Sequence, residues 1–219
     1  MRQRRPLSEE NVEANARLTG VTGALLLIFL FVEGLTILRV HQLIGLHVFL
    51  GALLVPLVVL KTGSTSYRFM RYYAGEREFV RRGPPNPILR VTGPLVIVFT
   101  FGLLASGIIL VVHPRGGWLG IHRIVFIAWF VLMTIHVVGH LAETARLTWN
   151  EWKVAARIPG RRLRVAMIAA SLIAGVAFGG ALLPSAASFS KQRHRGDARA
   201  STGVAPRNQE AGESGWDLW

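Results

Sequence analysis

Three histidines lie in one apolar stretch of the chain, at His122, His136 and His140. The first two are fourteen positions apart, a step that returns to nearly the same helix face about 21 Å further along the axis. The spacing recurs earlier in the chain, where Lys61 follows His47 after fourteen positions. Ionisable side chains inside apolar spans are costly and usually face a bundle interior. We therefore expect these two helix faces to share a ligand.

The elements that carry these residues are apolar runs long enough to cross a bilayer, which takes about 20 residues per helix. The chain has 219 residues, 51% of them hydrophobic, and the apolar residues are concentrated in long blocks. This pattern predicts an all-α integral membrane protein with an antiparallel four-helix bundle and a fifth transmembrane helix. The predicted parts are a cytoplasmic N-terminal segment (1–17), the four-helix membrane domain (18–141), a cytoplasmic interfacial segment (142–162), the fifth transmembrane helix (163–183) and a disordered tail (184–219).

The fifth predicted helix has no histidine, acid or base in its middle. Its Gly175 and Gly179 are four positions apart, and small residues at this spacing permit close approach of two membrane helices. We expect this helix to serve packing or contact with another subunit.

Basic residues are distributed unequally along the chain, whose formal net charge is +13. Seventeen Lys and Arg fall on the N-terminal side of the predicted membrane and three on the other side, leaving the five in the tail aside. This asymmetry predicts a multi-pass protein of the cell membrane with a cytoplasmic N-terminus and an external tail. Because the basic residues lie in connections between spans, we expect contact with the lipid bilayer and no nucleic-acid partner.

The predicted orientation places His47 and His122 at matching depth near the outer face. Two imidazoles on facing, parallel helices can hold a haem iron between them inside a bundle. Gly45 and Gly51, which flank His47, are expected to leave room for the flat macrocycle. The chain contains no cysteine, so covalent c-type attachment is excluded and the haem would be b type.

The spacing of His122 to His136, echoed by His47 to Lys61, resembles that of the di-haem membrane cytochromes b. That group includes cytochrome b subunits of hydrogenases and formate dehydrogenases, ferric-reductase-like membrane domains and small bacterial cytochrome-b-like proteins. The resemblance covers roughly residues 18–141. It implies two haems stacked across the membrane that carry electrons between a quinone pool and a soluble or membrane oxidoreductase subunit. It assigns His47 and His122 to an outer haem and His136 to half of an inner one.

Lys61 departs from the pattern of that group. Lysine ligates iron only as a neutral amine, which requires a strongly depressed pKa, whereas at the interface its ammonium can extend to water. We therefore expect one haem b at the outer site and an empty or altered inner site. A second haem would need Lys61, a five-coordinate iron on His136, or another ligand.

Other interpretations of the polar residues stay open. His136 and His140 are one turn apart and could clamp zinc or copper, although an interfacial polar role for His140 is simpler. Glu33 could relay protons from a quinol, pair with Arg39, or extend to water.

The expected function is electron transfer by a membrane b-type cytochrome, as a subunit or anchor of an oxidoreductase rather than a catalyst on its own. The alternative is a haem-free structural subunit or a small metal-handling membrane protein.

Overall fold

The computed structural model describes residues 7–81, 87–114, 117–154 and 160–201, and the side chains of 11–81, 91–114, 117–138 and 160–192. All regular structure in these ranges is helical. Five of the six helices are long and apolar enough to cross a membrane, so the described chain fits a multi-pass helical membrane protein. The helices are α1 (Leu7–Ile37), α2 (Val40–Tyr73), α3 (Arg77–Arg81), α4 (Pro87–Val112), α5 (Trp118–Val154) and α6 (Arg161–Ser201).

Large apolar side chains are exposed along the long helices. Ile124 is 70% exposed, Ile173 71% and Val138 72%. A soluble monomer rarely exposes extensive apolar patches, but a helix that is apolar all round suits a lipid environment. The exposed apolar side chains and the lengths of the helices therefore both indicate a protein that lies in a membrane.

Three helices extend beyond the apolar runs. α1 begins at Leu7, inside the predicted N-terminal segment, and α5 continues to Val154 through much of the predicted interfacial segment. The first part of the predicted disordered tail is also helical, because α6 passes through Pro184 and ends at Ser201. Ala, Lys, Arg and Gln are strong helix formers and extend a helix that the apolar span has already nucleated. Residues 202–219 lie outside the described part.

Four helices form a closed ring. α1 contacts α2, α2 contacts α4, α4 contacts α5, and α5 returns to α1. The α1–α2 pair is antiparallel, since Thr19 meets Ser64 at one end and Thr36 meets His47 at the other. The α4–α5 pair is antiparallel as well.

α2 and α4 are antiparallel too, since Val48 clusters with Val111 while Leu104 packs against the cluster that contains Leu54. α2 and α5 therefore run in the same direction on diagonal sides of the ring, and among the described residues none of their Cα atoms come within 8 Å of each other.

α6 packs outside this ring along α2. A Cβ atom built on Gly175 would lie 2.6 Å from the carbonyl oxygen of Leu53, and one on Gly179 would lie 2.7 Å from the Phe49 ring. Only glycine permits the two backbones to approach so closely. Of the two roles expected for the glycine pair, packing within this chain is the one the structure shows.

The close approach of α6 to α2 can be tested with Gly175→Ala. We expect a loss of about 1–3 kcal/mol in unfolding free energy, because the added methyl group meets the backbone of α2. Gly180→Ala is the matched control, since nothing lies within 4 Å of its added Cβ atom. Thermal unfolding in detergent, followed by circular dichroism, compares the two variants. Equal melting temperatures would contradict the prediction.

Candidate functional site

His47 and His122 lie on the two diagonal helices of the ring. His47 lies on α2 and His122 on α5, each within the first turns of its helix. Both side chains are partly buried, and the two rings are close enough to interact electrostatically. Because α2 and α5 are the diagonal pair, this interaction does not come from a contact between the two helices.

Two oxygen atoms of α1 surround the Nδ1 atom of His47. Thr36 Oγ1 lies at 2.8 Å and Glu33 Oε1 at 3.0 Å. The Thr36 hydroxyl also donates to the carbonyl oxygen of Glu33 at 2.5 Å. A hydroxyl has a single proton, so while Thr36 donates to Glu33 its Oγ1 can only accept from His47. On this basis we assign the ring proton of His47 to Nδ1 and the lone pair to Nε2.

The same hydrogen-bond arrangement is found at His122. Its Nδ1 atom lies 3.1 Å from Ser106 Oγ, on α4. Ser106 Oγ donates to the carbonyl oxygen of Leu103 at 3.0 Å. While Ser106 donates to Leu103 it can only accept from His122, so we assign the lone pair of this ring to Nε2 as well.

In this assignment, both imidazoles have the tautomer that ligates a metal through Nε2. The hydrogen bonds of the two rings to Thr36 and to Ser106 are both made by Nδ1. In metal sites, the second nitrogen of a ligating histidine usually donates to an oxygen that fixes the orientation of the ring. The arrangement can therefore offer two nitrogen donors to one ligand between α2 and α5.

The glycines near His47 do not have the role that we expected from the sequence. A Cβ atom on Gly51 would lie 3.5 Å from a carboxylate oxygen of α1, and one on Gly45 would lie 4.0 Å from Leu183. These glycines face α1 and α6 rather than a macrocycle. Gly107 is the residue beside the site, because its Cβ atom would lie 3.1 Å from Cε1 of His122. Sequence spacing alone leaves the rotation of each helix undetermined.

Lys61 is tied to α1 at the other end of α2. Its Nζ atom donates to the carbonyl oxygen of Thr19 at 2.7 Å. Thr19 Oγ1 donates to Ser64 Oγ at 2.9 Å, so these residues join the two helices. His136 is partly buried on α5. The expectation of an empty or altered inner haem site at His136 and Lys61 stays a prediction.

The possible metal clamp of His136 and His140 also stays a prediction. His140 lies on α5 one turn after His136, but its side chain falls outside the described residues. Among the side chains that are described, no group of three or more His, Cys, Asp or Glu is placed to hold a metal ion.

The partners of the histidines were not evident from the sequence. Glu33 pairs with His47 rather than with Arg39, and Thr36 and Ser106 act as acceptors. A signal was available, because residues at similar distances from the short turn of an antiparallel hairpin lie at the same depth. Those acceptors lie within a few residues of that level.

Comparison of the chain with protein-family models, with curated proteins and with solved structures found no match. Function must therefore be inferred from the residues of this chain and from the arrangement of its helices.

The tautomers can be tested by ¹⁵N NMR of the apoprotein, in which protonated and unprotonated ring nitrogens differ strongly in chemical shift. We expect His47 and His122 to be protonated on Nδ1, since their hydroxyl partners can only accept. Ser106→Ala should release His122 into a mixture of tautomers and leave His47 unchanged. A proton found on Nε2 of either ring in the unsubstituted protein would contradict the assignment.

Proposed function

We propose that the chain is a membrane b-type cytochrome that holds one haem between His47 and His122. It would carry electrons as a membrane subunit or anchor of an oxidoreductase. The observation that supports this most is the pair of imidazoles on diagonal helices, each held through Nδ1 by an oxygen acceptor. When bound, haem b supplies reversible one-electron transfer.

The donor set fits this ligand. A haem requires only one or two axial donors from the protein, whereas a structural or catalytic zinc ion takes three or four protein ligands. His47 and His122 would each hold the iron of such a haem through an imidazole nitrogen. The two helices that carry them, α2 and α5, do not pack on each other, since none of their described Cα atoms lie within 8 Å of each other.

The surrounding residues have simple roles in this proposal. Thr36 and Ser106 accept the Nδ1 protons and set the ring planes, and Gly107 leaves space for the His122 ring. Val48, the residue after His47, forms a buried apolar cluster with Val111 and Ala186. This cluster would exclude water from this end of the bundle.

The predicted orientation, with a cytoplasmic N-terminus, would place the haem near the outer face. Electrons would then be exchanged at that face, with a quinone or with a soluble or membrane oxidoreductase subunit. The unequal distribution of Lys and Arg supports this orientation.

The proposal predicts a reduced-minus-oxidised haem spectrum for the full chain purified in detergent after expression with ample haem. His47→Ala and His122→Ala should each lose most of the bound haem, because each removes an axial donor. His41→Ala is the matched control, since His41 is an exposed histidine on the same helix as His47. A colourless unsubstituted protein, or equal haem content in all three variants, would overturn the proposal.

The haem-to-protein ratio tests the inner end separately. We expect one haem per chain, and we expect His136→Ala to retain it, because Lys61 is engaged with α1. A ratio of two that falls to one in His136→Ala would show that the inner site is filled. Electrons could then cross the membrane through two centres.

A further inference from the structure

α2 continues well past its apolar part. Its 34 residues correspond to about 51 Å, whereas the hydrocarbon core of a bilayer is about 30 Å thick. The apolar run ends at Lys61, and Phe69 and Tyr73 lie about 12 Å and about 18 Å further along the axis. The headgroup layer adds only about 5–8 Å on each side of the core. This end of α2 therefore projects beyond the headgroups, on the side that the Lys and Arg distribution assigns to the cytoplasm.

The projecting end of α2 forms a packed hairpin with α3, over residues 67–81. Phe79 of α3 is buried, and its ring meets that of Tyr67 at a centroid distance of 6.0 Å. Arg71 forms a salt bridge with Glu76 and lies over the Tyr67 ring, 5.2 Å from its centroid. α1 also contacts α3. The hairpin is therefore held by contacts outside the membrane and presents a defined surface.

Large apolar side chains are exposed on this hairpin. Met70 is 70% exposed and Tyr73 59%. The rings of Phe69 and Tyr73 are in contact, with centroids 4.5 Å apart, so the apolar surface is continuous. Lipid does not extend to this level, and a continuous apolar patch in water marks a site of contact with another protein. Aromatic residues, Met and Arg are also the residues enriched in protein–protein interfaces.

The charge of the hairpin indicates the chemistry of its partner. Residues 67–81 contain four arginines and two glutamates, a formal charge of +2, and Arg77 and Arg81 are exposed. We propose that the hairpin docks an acidic segment of a soluble protein on the predicted cytoplasmic side. A second copy of this chain would bring two basic surfaces together, which like charges oppose. Met70 lies about 35 Å from His47 along α2, so the proposal does not rest on haem binding.

The depth of the hairpin can be measured on the purified full chain, because the chain contains no cysteine. Met70→Cys places a single thiol on the hairpin. Ile124→Cys is the matched control, since Ile124 is also 70% exposed but lies in the apolar span of α5. A maleimide reacts with the thiolate, which forms in water. In nanodiscs of phosphatidylcholine, we expect a water-soluble maleimide to label Met70→Cys at least tenfold faster than Ile124→Cys.

The partner is tested by photo-crosslinking in intact cells of the natural host, with p-benzoylphenylalanine in place of Met70. We expect one main adduct with a soluble protein, joined through a peptide rich in Asp and Glu. Arg77→Glu in the same chain should reduce this adduct at least fivefold, because it places an acid against the acidic partner. Exchange of one acid in that peptide for Arg should then restore it. Arg123→Glu is the matched control, since it makes the same change on an exposed arginine at the opposite end of the bundle.

Each other outcome would overturn the proposal. Equal labelling rates in the nanodiscs, or a lipid adduct in the cells, would place the hairpin in the membrane interface. An adduct with a second copy of the chain or with nucleic acid would identify a different occupant, and the absence of any adduct would leave the hairpin without one. A protein adduct that persists unchanged in Arg77→Glu would contradict recognition by charge. None of these results bears on haem binding, which is measured separately by the haem spectrum.

Discussion

A polar side chain inside a membrane helix must find its hydrogen-bond partner within the protein, because lipid offers none. Thr22 and Thr100 satisfy this by donating to carbonyl oxygens one turn earlier in their own helices. Thr100 then accepts from Trp129 Nε1 at 2.8 Å, which joins α4 to α5. A hydroxyl whose proton is directed back to its own helix has only its lone pairs left for the neighbouring helix. This constraint decides which groups can meet across each helix pair.

The candidate site uses that constraint twice. Thr36 and Ser106 are acceptors for the same reason that Thr100 is, and each meets an imidazole of the adjacent antiparallel helix. The packing of the helices thereby determines which ring nitrogen of each histidine carries the proton. α6 contributes from outside, since its glycines hold it against the backbone of α2, the helix that carries His47. The position of the His47 ring thus depends on the contacts of α2 with α1 on one face and with α6 on another.

Much of the architecture follows from the sequence, because apolar length and residue spacing specify depth. The five apolar helices and the common depth of His47 and His122 are of this kind. The direction in which Gly45 and Gly51 point, and the contact of Glu33 with His47, depend on helix rotation, which spacing does not determine. The helix ends depend on propensity beyond the membrane. For this reason α6 reaches Ser201 although its composition suggests disorder.

The two ends of the bundle differ in what they can offer to iron. At the His47 end, two imidazoles contact hydroxyl oxygens through Nδ1, and in the assigned tautomers the lone pair of each ring is on Nε2. At the Lys61 end, the side chain donates to a backbone carbonyl, and as an ammonium it has no lone pair at all. The two positions on α2 are about 21 Å apart along the axis. The proposed cytochrome, with one haem at the first end, would have no second centre across that distance. Its donor and acceptor would then meet it from the same side of the membrane, as suits an anchor for a partner bound at that face.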